Sequence, residues 1–455
     1  MKIVIAGGGK VGAALCVDLA SDHSVIVIDT DAKVVDNLIS SADITGVVGN
    51  GASLNIQREV GVEHCDIFIA VTPSDEINII AAIIAKKLGA KATIVRVRNP
   101  EYSGNLKFVQ ESLGISMAVN PELEAARSIA LSIRFPSALG IETFADGRIQ
   151  MVEVRVAESS TLAGMQLNKF REKYGKVLVC AVQRDELVYI PGGDFILQKG
   201  DLLHVTGPIN DLTVIYKAAG CLTRKIHSVM IIGGNLITRY LLQIIERWGR
   251  NICVIEKDEA KTELLSAEFP RVKVITGDGT DQDVLTEQHI RDFDCFVAMT
   301  GIDEENLITS WYAAKQNVPK IVTKINRKPL LRMVKDLGLQ TTTVTPKRLA
   351  SDIITRFVLA MNDTLESKVE AMYRIVDGRV QALQFIVLKK SFATGIPLKD
   401  LRLKKNVLIV YIIRDNRLIF PTGDDEIRPG DRLIAVTTMH VVDEVDDLLE
   451  DEARK

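Results

Sequence analysis

The sequence predicts an α/β protein with two open parallel sheets, each followed by a small β-rich module. Three observations carry that reading. Short apolar runs alternate with amphipathic stretches, as strands alternate with helices when successive strands lie parallel. The whole pattern occurs twice in the 455 residues. Hydrophobic residues make up 47% of the chain and aromatics only 5%, the aliphatic balance of parallel sheets with helices over them.

The elements follow in order. Ile3–Ala6, Val25–Ile28, Ile67–Val71 and Thr93–Val97 are apolar runs of strand length. Glu76–Leu88 is amphipathic: Ile77, Ile80, Ile84 and Leu88 recur near helical spacing, and Lys86 and Lys87 suit a helix C-terminus. Val119–Arg134 reads as a connecting helix. Alternating strands punctuated by Gly147, Gly192-Gly193 and Gly200-Asp201 then predict the first small module, its Gly-Asp turn plain hairpin chemistry. The cycle restarts after a short joint, Gly220–Ser228. "IVIAGGGKVG" at Ile3 returns as "VMIIGGNLIT" at Val229, "VIVIDTD" at Val25 as "ICVIEKD" at Ile252, and "AVTPSDEINII" at Ala70 as "AMTGIDEENLI" at Ala298. The same offset, 228 residues, separates Thr72 from Thr300 and Arg96 from Lys324. Val344–Met361 is the second connecting helix, and "VQRDELVYIPGGDFILQKGDLLHVTG" at Val182 recurs as "IIRDNRLIFPTGDDEIRPGDRLIAVT" at Ile412. Two copies make a duplicated two-domain unit, not a solenoid. The expected domains are 1–134, 135–222, 223–361 and 362–455.

Composition removes several classes. A net charge of −3 offers no basic surface for nucleic acid. The six cysteines (Cys16, Cys65, Cys180, Cys221, Cys253 and Cys295) are widely spaced and read as buried thiols of a reducing compartment. The six histidines (His23, His64, His204, His227, His289 and His440) show no ligand spacing and read as structural or surface residues. Met1–Ile5 runs straight into a strand, so no signal peptide is expected. Apolar runs such as Val407–Ile413 fall far short of the ~18 residues of a spanning helix.

Gly7-x-Gly9-x-x-Gly12 follows a strand and opens a helix. Gly7 permits the tight turn, Gly9 lets a pyrophosphate approach the backbone, and Gly12 seats the helix against the strand. The N–H groups of Gly8, Lys10 and Val11 lie in the same loop, at the positive end of the helix. Asp29, at the end of the second strand, can accept from both hydroxyls of an adenosine ribose and would repel a 2′-phosphate. NAD(H), ATP or ADP are therefore favoured over NADP. Later strand ends supply the other candidates. Asn50 can present its amide to adenine or serve an ordinary turn. Thr72, before Pro73, can give its hydroxyl to ribose or phosphate. Arg96 can pair with phosphate. Asp75 and Glu76 read as stabilisers of their helix start, Arg98 as a surface or interface charge, and Arg127 as a solvated helix charge.

The second loop keeps Gly233 and Gly234 but has Asn235, Leu236, Ile237 and Thr238 where the first has Gly9, Lys10, Val11 and Gly12. Asn235 would occupy space near a pyrophosphate, and Thr238 would push its helix off the strand. Glu256, Asp278, Thr300 and Lys324 stand where Asp29, Asn50, Thr72 and Arg96 stand in the first copy. Two readings stay open for the second site: a weaker or differently selective nucleotide pocket, or a vestigial one that only stabilises the pair.

A hydride-transfer enzyme needs a second domain that brings substrate and an acid/base to the cofactor. Neither half shows a Tyr-x-x-x-Lys pair, a metal-ligand cluster or a Walker loop. A ligand-sensing protein needs none of these; it needs a ligand that binds two conformations unequally. The order "GGGKVG", "VIDTD", "GNGAS", "TPSDEINII", "RVRNP", "YIPGGDFILQKGD", written twice, resembles the family of potassium-conductance regulator (RCK) domains in the tandem form of Trk potassium-uptake regulators. The resemblance covers nearly the whole chain. It implies two Rossmann-like nucleotide-binding domains, each with a small α+β C-terminal module, binding NAD(H) and/or ATP/ADP as regulatory ligands without catalysis. It also implies a homotetrameric ring, cytoplasmic and peripheral to the inner membrane through an integral membrane potassium-translocating subunit (TrkH/TrkG-like). By the same match, Gly7–Val11, Asp29, Asn50, Thr72 and Arg96 line the first site. Gly233–Ile237, Glu256, Asp278, Thr300 and Lys324 line the second.

Overall fold

The computed structural model describes residues 1–455 except 104–109, 111, 137–140, 145–148, 221–224, 328, 332–340, 363–368, 377–378, 388–390, 416, 440–441, 443 and 451–455. Gly147, Cys221, His440 and residues 221–224 of the Gly220–Ser228 joint lie outside the described residues. The chain forms two compact units: Met1–Arg134 with Ile226–Thr355, and Phe135–Lys225 with Arg356–Lys455.

The first unit holds two parallel six-stranded sheets of identical order. Numbered in chain order within each half, the strands lie 3-2-1-4-5-6. In the first half these are Lys2–Ala6, Ser24–Asp29, Thr45–Val48, Ile67–Ala70, Ala92–Arg96 and Met117–Val119. In the second they are Ser228–Ile232, Asn251–Glu256, Lys273–Thr276, Cys295–Ala298, Lys320–Lys324 and Thr342–Val344. Ile3, Val4, Ile5 and Ala6 are all fully buried, as a central strand covered on both faces requires. The order reverses between strands 1 and 4, which places a crevice at their C-terminal ends.

Local chemistry sets the helix starts. The Asp31 carboxylate accepts from Lys33 N–H at 2.9 Å to start Ala32–Ser41. Ser74 Oγ accepts from Ile77 N–H at 3.2 Å to start Asp75–Leu88, which ends at Gly89 with φ +127°.

The connecting helices carry the least local part of the fold. Pro121–Arg134 buries Ala125, Ala126, Ile129, Ala130 and Ile133, and they pack not in their own half but among Val229, Ile231, Leu241 and Ile252 of the second. In return, Ser351 on the second connecting helix, Pro346–Asn362, donates to Asp18 of the first half at 2.9 Å. Asn120 Nδ2 donates to Tyr240 Oη at 2.9 Å, and Tyr240 Oη donates to the Arg98 carbonyl at 2.7 Å. The two halves of this unit are thus tied by side chains that each lends the other.

The second unit holds two antiparallel five-stranded sheets. Their inner faces share one core, in which Met151, Cys180 and Ala181 meet Val380, Val410, Tyr411 and Val436. Thr206 and Tyr411 share a buried hydrogen bond of 2.7 Å. The Gly-Asp turns do more than close hairpins. Asp201 is fully buried and takes Arg184 Nε and Nη2 at 2.7 and 2.9 Å. Asp431 takes Arg414 Nε and Nη2 at 2.8 Å each. A buried carboxylate holding a bidentate guanidinium anchors each turn.

Candidate nucleotide sites

At the first crevice the strand ends converge. Gly7 has φ +108°, and a Cβ there would lie 2.8 Å from the Thr72 nitrogen, so only glycine fits. A Cβ on Gly12 would lie 1.9 Å from the Gly7 carbonyl oxygen, which is how closely the helix Lys10–Leu19 seats on the turn. Asp29 Oδ2 accepts from Gly8 N–H at 2.6 Å and its Oδ1 from Asp31 N–H at 2.9 Å. The acid expected to read a ribose therefore also holds the glycine loop, with acceptor capacity left on both oxygens. Gly49 N–H donates to the Asp29 carbonyl at 2.8 Å, which brings the Asn50 loop alongside. Asn50 is exposed and its Oδ1 accepts from Ala52 N–H at 2.9 Å. Gly9 leads the helix with no capping side chain, and a Cβ on it would meet nothing within 4 Å. Lys10 is exposed at the rim and Val11 is buried behind it.

The fourth and fifth strand ends are joined by a residue that motif reading passed over. Asn78 is fully buried on the helix Asp75–Leu88. Its Oδ1 accepts from Thr72 N–H and Oγ1 at 2.8 and 2.7 Å. Its Nδ2 donates to the carbonyls of Thr72 and Arg96 at 3.1 and 3.0 Å. Arg96 Nη2 also donates to the Thr72 carbonyl, while its buried Nε has no hydrogen-bond partner. Burial lowers the Arg96 pKa, with Arg98 acting in the same direction and Glu122 opposing. Glu122, at the start of the connecting helix, is itself pushed up by burial.

Asp75 corrects the reading of a helix-start charge. It is buried and turned away from its own helix, and accepts from Arg98 N–H and Asn99 N–H at 2.8 Å each. Arg98 folds back over it, Nε to Oδ1 at 3.5 Å, and donates to the exposed Pro73 carbonyl. It is not a free surface charge. Arg127 pairs with Glu124 at 2.6 Å in the open, as expected of a solvated helix. The repeat held the signal for the missed residues: Asp75 and Asn78 recur unchanged as Asp303 and Asn306.

The second crevice repeats this frame. Thr300 N–H donates to Asn306 Oδ1 at 2.7 Å, and Asn306 Nδ2 donates to the Lys324 carbonyl at 3.1 Å. Asp303 accepts from Asn326 N–H and Arg327 N–H at 2.9 and 3.0 Å. Glu256 Oε2 accepts from Gly234 N–H at 2.5 Å and Oε1 from Asp258 N–H at 2.9 Å. Asp278 is exposed and held low by Thr280, whose hydroxyl and N–H donate to it at 2.7 and 2.8 Å. Lys324 is buried, and that burial lowers its pKa against the pull of Asp303 and Glu122.

Two differences are local. Asn235 Oδ1 accepts from Ile237 N–H and Thr238 N–H at 2.9 and 3.3 Å, so it caps its helix, with Leu236 half-buried beside it. Thr238 Oγ1 donates to the Gly233 carbonyl at 2.5 Å. The threonine expected to push its helix off the strand instead binds the turn at the atom that crowds Gly12 in the first copy.

A third cation borders the first loop. Lys347, in the first turn of Pro346–Asn362, has its pKa lowered to about 8 by burial and by the adjacent Lys10 ammonium, with Lys324 adding and Asp303 opposing. Among the described residues no cluster of three or more metal-ligating side chains occurs. No helix among them is long and apolar enough to cross a membrane.

Twin open parallel sheets with glycine loops at their switch points, together with twin antiparallel modules, define a duplicated protein of the open α/β nucleotide-fold class. The TrkA-N domain model matches residues 3–121 and 229–346, and the TrkA-C domain model matches 151–220 and 383–450. The chain belongs to the TrkA family. It is 29% identical to a Trk system potassium uptake protein TrkA homolog of Archaeoglobus fulgidus, over 98% of this chain and all of that one. It is 28% identical to Trk system potassium uptake protein TrkA of Halomonas elongata, over 95% of each. Among solved structures, the GsuK RCK domain superposes with TM-score 0.62 at 18% identity, covering 96% of this chain and 92% of that one. The GsuK channel bound to NAD gives 0.63 at 18%, covering 96% and 76%.

Proposed function

We propose that this chain is a nucleotide-sensing regulatory subunit that gates a membrane potassium-translocating subunit of the TrkH/TrkG kind. It works in the cytoplasm as a homotetrameric ring docked on that partner, without catalysis. The observation that carries this reading is the first glycine loop: an uncapped helix N-terminus beside a carboxylate already bonded to the loop. That arrangement suits the diphosphate and ribose of NAD(H), ADP or ATP. The names of the relatives support the potassium partner, and the NAD bound by the GsuK channel supports the ligand class.

The mechanism follows from the contacts of the loop. Phosphates between Gly7–Gly12 and Arg96 draw on the strand ends that Asn78 binds together, and the Arg98 carbonyl reaches the second half through Tyr240. Ligands of different phosphate charge bind the two states of the ring unequally. A difference of ~1.4 kcal/mol shifts the balance tenfold.

Thermal unfolding tests the ligand. NAD⁺, NADH, ADP and ATP at 100 times Kd are each expected to add roughly 2.7 kcal/mol, NADP⁺ far less, and Asp29→Ala to abolish the gain. No stabilisation by any adenine nucleotide would sink the reading. Potassium flux in vesicles holding the membrane subunit, with and without nucleotide, then tests gating.

The site also makes a pH-dependent expectation. A diphosphate near Lys10 favours the charged form of Lys347 and raises its pKa from about 8. Binding at pH 8 therefore takes up protons, and affinity falls as pH rises further. Calorimetry of ADP binding in two buffers of different ionisation enthalpy reads this directly. The uptake should vanish in Lys347→Met; uptake unchanged in that variant would place the titrating group elsewhere.

A further inference from the structure

We propose that Asn235 is a built-in occupant of the second half's phosphate position, so that each chain holds one diphosphate-bearing nucleotide, in its first half. The inference rests on the nucleotide-sensing reading and fixes its stoichiometry.

The two loops have the same backbone at the decisive residue. Gly9 has φ −62° and ψ −172°, Asn235 φ −83° and ψ −177°, and each precedes a helix of ten residues. The difference lies in the side chain. On Gly9 a Cβ would point into open space. In the second half that space holds a carboxamide. Its oxygen takes the N–H groups of Ile237 and Thr238, the donors that a phosphate oxygen takes at a glycine loop. Its nitrogen donates to the Met299 carbonyl at the end of the fourth strand, closing the loop across the crevice. Thr238 Oγ1 adds a third tie, to Gly233. An amide group thus reproduces the acceptor of a phosphate and adds a donor that no phosphate has.

An entering diphosphate must break these bonds before it can make its own. Two internal hydrogen bonds of ordinary net strength correspond to roughly 30-fold in affinity. Glu256 does not offset this: its two oxygens hold the same pair of backbone N–H groups as those of Asp29, and it is buried where Asp29 is half-buried. The phosphate position of the second half is closed by the Asn235 carboxamide, with Thr238 tying the turn beside it.

Because the backbone angles match, the device can be moved. Gly9→Asn adopts a conformation open to any residue and meets no neighbour, so it should fold and cap its helix as Asn235 does. Calorimetric titration of the full-length chain with ADP counts the sites. The expected result is one ADP per chain, lost in Asp29→Ala, kept in Glu256→Ala, and weakened about 30-fold in Gly9→Asn, whose melting temperature does not fall. Asn235→Gly combined with Thr238→Gly is expected to raise the count to two. Two ADP per wild-type chain, with one lost in Glu256→Ala, would overturn the inference while leaving the nucleotide reading intact. So would wild-type affinity in Gly9→Asn, which decides the matter even where the double glycine variant does not fold. No ADP bound by the wild-type chain would overturn the nucleotide reading and this inference with it.

Discussion

Asn78→Leu should cost about 3–5 kcal/mol of stability, the largest loss from any polar residue of the first site. Leucine keeps the branching of asparagine and suits a helix, so the loss comes from the orphaned partners together with the larger volume of leucine. Asn78 is fully buried and makes four hydrogen bonds to two strand ends. Leucine leaves the Thr72 N–H, the Thr72 hydroxyl and the Arg96 carbonyl without that partner in a part-buried crevice, and each orphaned group costs ~1–3 kcal/mol. Asn306→Leu should cost less, because the Thr300 hydroxyl turns to Ile302 and makes no bond to Asn306. Urea midpoints of the two variants, compared at equal m-value, measure both. A loss below ~1 kcal/mol for Asn78→Leu would mean that the strand ends hold their spacing without it.

Such residues mark where sequence reading reaches its limit. Periodicity and repetition make both sheets legible, because strands and helices are local and the repeat states them twice. The glycine loop and Asp29 are legible because fixed spacing along the chain puts them together. Asn78 is not, since a polar residue on an amphipathic helix reads as solvated unless its partner is known, and one partner lies at Arg96, 18 residues on. Asp75 fails the same way: its position at a helix start suggests one role, while its carboxylate serves Arg98 and Asn99. Thr238 and Asn235 read as obstructions because size is visible in a sequence and a hydrogen-bond partner is not. The connecting helices are legible as helices with a buried face. The surface that face meets is a property of the duplicated unit, and no spacing encodes it.

Ile133→Ala carries the second large effect, and it should appear in the half that does not contain the substitution. Ile133 lies in the last turn of Pro121–Arg134, fully buried, with Ile129 one turn before it. Their neighbours include Val229, Leu241, Ile245 and Ile252, all second-half residues. Truncation leaves a cavity in that core and should cost about 2–5 kcal/mol. Both tryptophans of the chain, Trp248 and Trp311, are in the second half. Trp248 packs on this core, with the Arg134 guanidinium 5.8 Å from its ring centre. Its emission should therefore report a transition shifted to lower denaturant in Ile133→Ala. Arg127→Ala, which breaks only an exposed pair with Glu124, should leave the transition within ~0.5 kcal/mol. An unshifted tryptophan transition in Ile133→Ala would mean that the helix stabilises only its own half. A shifted one would give the proposed nucleotide signal a physical path. The helix starts beside Asn120, which holds Tyr240 of the second half, and Tyr240 holds the Arg98 carbonyl two residues beyond Arg96. On the proposed reading, a ligand that draws in Arg96 would pull on a helix whose far end is the second half's core, so that the two halves answer one ligand together.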